Sequence, residues 1–91
     1  MPNNNQPLQS IANAYRAKMF RAINGRKYHV KLAGVFFKQK PPDMDKYQLH
    51  NDVGIKFNDI ANYNRDKSIE FGNKVKENQD LKNQINSQTS D

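Results

Sequence analysis

The side chains of this chain that could do chemistry are two histidines, nine carboxylates and fifteen lysines and arginines, with no cysteine among them. His29 and His50 lie 21 positions apart, and no carboxylate spacing around them supplies a metal site. Neither histidine sits beside a serine, threonine or lysine in an order that would build a nucleophile. Both are expected to be surface or half-buried structural groups. Asp43 and Asp45 form a close carboxylate pair, but at the start of a helical pattern they read as charges that favour a helix N-terminus. The lysine-rich segments lack the glycines of a phosphate loop. No catalysis, cofactor or metal is expected.

The cations make the stronger pattern. Residues 8–40 carry Arg16, Lys18, Arg21, Arg26, Lys27, Lys31, Lys38 and Lys40 and no acid, and the first carboxylate of the chain is Asp43. Residues 1–42 therefore hold net +8, and residues 43–91, with seven cations and nine acids, hold net −2. A split of this kind, with aromatics among the cations, suits an anionic partner. Arg16, Lys18, Arg21, Arg26, Lys27 and Lys31 are the expected phosphate or acidic-partner contacts, with Tyr28 and Phe20 available to stack on bases. No sequence-reading motif accompanies them, so contact with the backbone of a nucleic acid is expected, whether DNA or RNA.

The elements that must position these residues follow from hydrophobic spacing. Residues 1–7 are polar with two prolines and are expected to be a flexible arm; they also predict no secretory leader. Leu8, Ile11, Ala12, Tyr15, Met19, Ala22 and Ile23 recur at helical spacing and predict an amphipathic helix over 8–24. Asn24-Gly25 would then stop it. The same dipeptide is also a hairpin turn, which would pair residues 17–23 with 26–32; the helix is preferred because Leu8 through Ile23 fit it without exception. Tyr28, Val30 and Leu32 alternate with His29 and Lys31, so residues 27–38 are expected to be extended, with a bulge or turn at Gly34.

Pro41-Pro42 breaks the chain, and Asp43 offers an N-cap to a second helical segment. Leu49, Val53, Phe57, Ile60, Asn64, Phe71 and Val75 form one apolar stripe and are the expected oligomer interface. They predict a long helix, or a helical hairpin that turns near residues 62–66. Asn64 either fixes the register of that stripe or marks the break. The fold expected is α+β and helix-dominated, with an all-α fold as the alternative. A single small domain over 8–86 has a basic half (8–42) and a helical half (43–86), followed by a flexible tail over 87–91.

Leu, Ile, Val and Phe make up only 19 of 91 residues, a thin supply for a core. A chain of this size is marginal alone, and without cysteine it cannot add a disulfide, so oligomerisation or a partner is the expected supplement. No 18-residue apolar span is present, so no membrane is expected among its partners. The function expected is that of a small basic, non-enzymatic, cytoplasmic nucleic-acid-binding protein. The alternative is an assembly or inhibitor protein, virus- or phage-encoded and active in the virion or the cytoplasm, that docks its basic face on an acidic protein.

Overall fold

The computed structural model describes residues 5–89 and consists of two helices, α1 (Asn5–Lys38) and α2 (Met44–Thr89), joined by a short loop. They pack antiparallel into a rod of 78 × 17 × 13 Å. There is no strand among the described residues, so the α+β expectation is corrected to an all-helical hairpin. The expected extended segment over 27–38 is the last third of α1, and α2 runs through residues 62–66 without a turn.

The reason is visible in the spacing of the residues that meet between the helices. On α1 these are Leu8, Ala12, Tyr15, Met19, Ala22, Arg26, His29, Ala33 and Phe36, separated alternately by four and three positions and all buried or half-buried. On α2 they are Tyr47, His50, Gly54, Phe57, Ala61, Asn64, Ser68, Phe71 and Val75, with the same alternation. This is the seven-residue period of a coiled coil, sustained over the whole of α1. The alternation of Tyr28, Val30 and Leu32 suggested a strand only because the seam there passes through Arg26, His29 and Ala33, two of which are polar.

Asn24-Gly25 does not end the first helix. Gly25 lies inside α1, where the Phe57 ring rests against it; a Cβ at this position would stand 2.8 Å from a ring carbon. Gly34 is likewise helical and forms no bulge. Residues 5–7 belong to the first turn of α1, residues 87–89 to the last turn of α2, and the rest of the expected arm and tail lies outside the described residues.

Small residues let the two backbones approach. Gly54, Ala61 and Ser68 recur at seven-residue intervals on α2, and large residues, His50, Phe57 and Phe71, recur on the adjacent line. Across the seam Tyr15 stacks on Phe71 with ring centroids 5.8 Å apart, and Phe37 packs against Tyr47 at 5.3 Å. The register thus sets the start of α1 beside the region of Phe71 and its end beside the start of α2. The buried apolar residues of this seam are all alanines: Ala12, Ala22, Ala33 and Ala61. No large side chain is fully buried among the described residues.

The loop is closed by local chemistry. Pro41 and Pro42 cannot continue α1, and the Lys40–Pro41 peptide is cis. The Asp43 backbone N–H donates to the Phe36 carbonyl at 3.0 Å, satisfying one of the last acceptors of α1. The Asp43 side chain accepts from the Lys46 backbone N–H at 3.1 Å, the N-cap bond expected for α2.

Candidate anion-binding surface and inter-helix groove

Helix α1 carries seven cations and no acid over its 34 residues. The structure separates them. Arg26 lies on the seam, and its guanidinium donates to Asn58 Oδ1 at 2.7 Å, so it is held against α2. The other six, Arg16, Lys18, Arg21, Lys27, Lys31 and Lys38, are exposed. Arg16 lies over the Phe20 ring at 5.7 Å and Lys18 over the Tyr15 ring at 5.5 Å, contacts that lay the stems of both along α1. Arg16, Phe20 and Lys27 fall on one edge of the helix by their spacing, Lys31 and Lys38, seven residues apart, on its outer side, and Lys18, Arg21 and Tyr28 toward the other edge. Seven of the eight expected contact residues are therefore spread around the exposed surface of one helix and do not share a single face, and the eighth, Arg26, lies on the seam.

Every ion pair found among the described residues involves α2 or the loop: Lys46 with Asp43, Arg65 with Asp66, and Lys67 with Glu70. The Lys67 ammonium donates to Glu70 at 3.1 Å, and that hydrogen bond, reinforced by the carboxylate charge, holds its pKa above the ordinary lysine value. None of the α1 cations is paired in this way among the described residues.

The expected oligomer stripe on α2 also divides. Phe57, Asn64, Phe71 and Val75 point into the seam with α1, while Leu49 and Ile60 are about half exposed beside it and Val53 is half-buried. Asn64 is buried within an unbroken helix, and its Nδ2 donates to the Ile60 carbonyl one turn back at 2.8 Å.

The two histidines meet. His29 Nδ1 and His50 Nδ1 lie 3.0 Å apart, in a stack that runs Phe57, His29, His50, Phe36 with neighbouring centroids 5.2 to 5.6 Å apart. In such a contact one ring nitrogen donates and the other accepts, according to the tautomers of the two rings. No group of three or more metal-ligating side chains occurs among the described residues. Sequence reasoning separated these histidines because it placed His29 on a strand; the signal that unites them is that both fall on the alternating four-and-three pattern.

Two further features were missed. One is a groove on one side of the seam, lined by Arg26, Val30, Asn51, Gly54, Ile55 and Asn58. The other is a ridge of acids on the outer side of α2, Asp45, Asp52, Asp59 and Asp66, each seven residues after the last. The interval is legible in the sequence, but nothing there says which way the ridge faces until α2 is known to be one helix. No helix of the described residues is long and apolar enough to cross a membrane. Comparison with protein-family models, with curated proteins and with solved structures found no match to this chain.

Proposed function

We propose that the protein is a non-enzymatic, cytoplasmic or virion-borne binding module that lays the exposed surface of α1 along the phosphate backbone of a nucleic acid. The observation that supports this is the state of the α1 cations: six are exposed on a helix without a single acid, and none is neutralised by an ion pair within the described chain. Such a helix is an unscreened line of positive charge about 50 Å long at 1.5 Å per residue. Its cations point to several sides, which suits charge-driven contact and leaves no single row of side chains to read base edges. Phe20 and Tyr28, about half and more than half exposed, are free to stack on unpaired bases.

The test is a salt titration of binding to labelled duplex DNA and to single-stranded RNA. Affinity is expected to fall steeply with salt, by about 0.7–0.9 units of logarithmic slope for each phosphate neutralised. Lys18→Ala with Arg21→Ala is expected to weaken binding to all sequences alike and to lower the slope by about two units. Absence of binding at low salt overturns the proposal.

A protein partner is the second reading, and the observation that favours it is the number of large apolar side chains left about half exposed on both helices, from Phe20 and Val30 to Ile55 and Ile69. In that case the basic surface docks on an acidic protein as part of an assembly or as an inhibitor. Pull-down with and without nuclease separates the two: a protein retained after nuclease treatment favours the second.

A further inference from the structure

We infer that the grooved side of the hairpin is covered by a second copy of this chain, in a two-fold dimer whose axis runs along the rod, so that each α1 lies against the other copy's α2. The groove at Val30 and Ile55 marks the centre of this side. The seven-residue period extends it in both directions. Ile23, Val30 and Phe37 continue it along α1, and Ile55 and Ile69 along α2. Val30 is 52% exposed, Phe37 53%, Ile55 55% and Ile69 54%, so a row of apolar side chains on each helix lies open on the same side. A hairpin whose fully buried apolar residues are all alanines has little core without such a cover.

Charge identifies the occupant and its orientation. The edge of this side on α1 carries Arg16 and Lys27 and, one step further round, Lys31 and Lys38; on α2 the Ile55 and Ile69 row is bordered on its outer side by the Asp45, Asp52, Asp59 and Asp66 ridge, three or four positions away. Two hairpins can meet face to face in two symmetric ways. With the axis across the rod, α1 meets α1, and cation faces cation. With the axis along the rod, α1 meets the other copy's α2, and the basic edge meets the acidic ridge twice. The levels also agree. The intrachain contacts set Arg26 beside Asn58 and Phe37 beside Tyr47. An axis along the rod keeps each residue at its own level. Lys27 then comes opposite the second copy's Asp59, Lys38 opposite its Asp45, and Arg16 opposite its Asp66. Val30 comes opposite its Ile55. The product is an antiparallel four-helix bundle with both loops at one end. Lys18 and Arg21, toward the opposite edge of α1, remain on its outside, so the dimer leaves a basic surface for the anionic partner proposed above without depending on it.

The experiment is sedimentation equilibrium of nuclease-treated full-length protein from micromolar to millimolar concentration. The expected mass is twice 10.6 kDa. Ile55→Glu with Ile69→Glu is expected to give a monomer that keeps its helical circular dichroism, because neither side chain lies in the intrachain seam. Arg16→Glu with Lys27→Glu and Lys38→Glu is expected to weaken dimerisation about tenfold or more, and added salt to weaken the unmodified dimer. Mixing that triple variant with a chain whose four ridge aspartates are lysines is expected to restore a dimer of mixed composition, since both contacts then pair opposite charges. A monomer at every concentration overturns the inference, as does a dimer unaffected by the Ile55 and Ile69 changes. A triple variant that dimerises as tightly as the unmodified chain overturns the orientation. Failure to bind nucleic acid bears on the proposed function alone.

Discussion

Replacing Gly25 with alanine tests the closeness of the two helices directly. In an exposed helix interior, Gly→Ala stabilises by about 1 kcal/mol, because glycine loses more backbone freedom on folding. At Gly25 the added Cβ would stand 2.8 to 2.9 Å from three carbons of the Phe57 ring, well inside contact distance. The ring cannot swing away freely, since its other face is stacked on His29 at 5.6 Å. Overpacking of this kind costs about 1–3 kcal/mol. Gly25→Ala is thus expected to range from neutral to destabilising by about 2 kcal/mol once the propensity gain is subtracted. Gly72 is the internal control: it lies in α2 with nothing within 4 Å of a built Cβ, so Gly72→Ala receives the propensity gain alone. The measured quantity is the difference between the two variants, about 1–3 kcal/mol, from urea unfolding followed by circular dichroism at one protein concentration. In a Phe57→Ala background the obstacle is gone, and Gly25→Ala should stabilise by about 1 kcal/mol. If Gly25→Ala stabilises the unmodified protein as much as Gly72→Ala does, the helices are not in contact at this level and the seam is wrong.

Other outcomes rest on the same geometry. Asn64→Leu should raise stability by about 1 kcal/mol or more, because the buried amide bonds only a carbonyl of its own helix; the accompanying loss of register specificity would appear as broadened amide resonances, and a destabilised variant would refute this account. Asp43→Ala should cost about 0.5–2 kcal/mol through loss of the N-cap bond to Lys46, and a change smaller than that in the urea midpoint would show the cap to be dispensable.

The amphipathic pattern from Leu8 to Ile23, the proline break and the Asp43 cap were each readable because they rest on local chemistry: apolar periodicity, a missing N–H and a side-chain acceptor. The second half of α1 was not, and the cause is specific. Its seam residues are Arg26, His29, Ala33 and Phe36, of which two are polar and one is small, so hydrophobicity does not trace the buried line. The apolar residues that do stand out there, Tyr28, Val30 and Val35, are among the most exposed of the helix, and the first two alternate with Leu32 like a strand. On α2 the stripe was read as one interface, whereas four of its seven residues are used within the chain. The histidine stack and the acidic ridge required knowing that both segments are straight helices.

The sequence alone determines the charge asymmetry of this protein, the break at Pro41-Pro42 and the poverty of its core, because composition and proline do not depend on how the chain folds. Only the tertiary structure decides that His29 meets His50, that Gly25 and Gly54 are there to admit Phe57 and Val30, and that Arg26 is tied to Asn58 while six other cations of its helix stay exposed. These are contacts between residues about twenty or more positions apart. They follow from the register in which α1 lies on α2, and that register is set by the summed packing of small against large side chains along the whole seam.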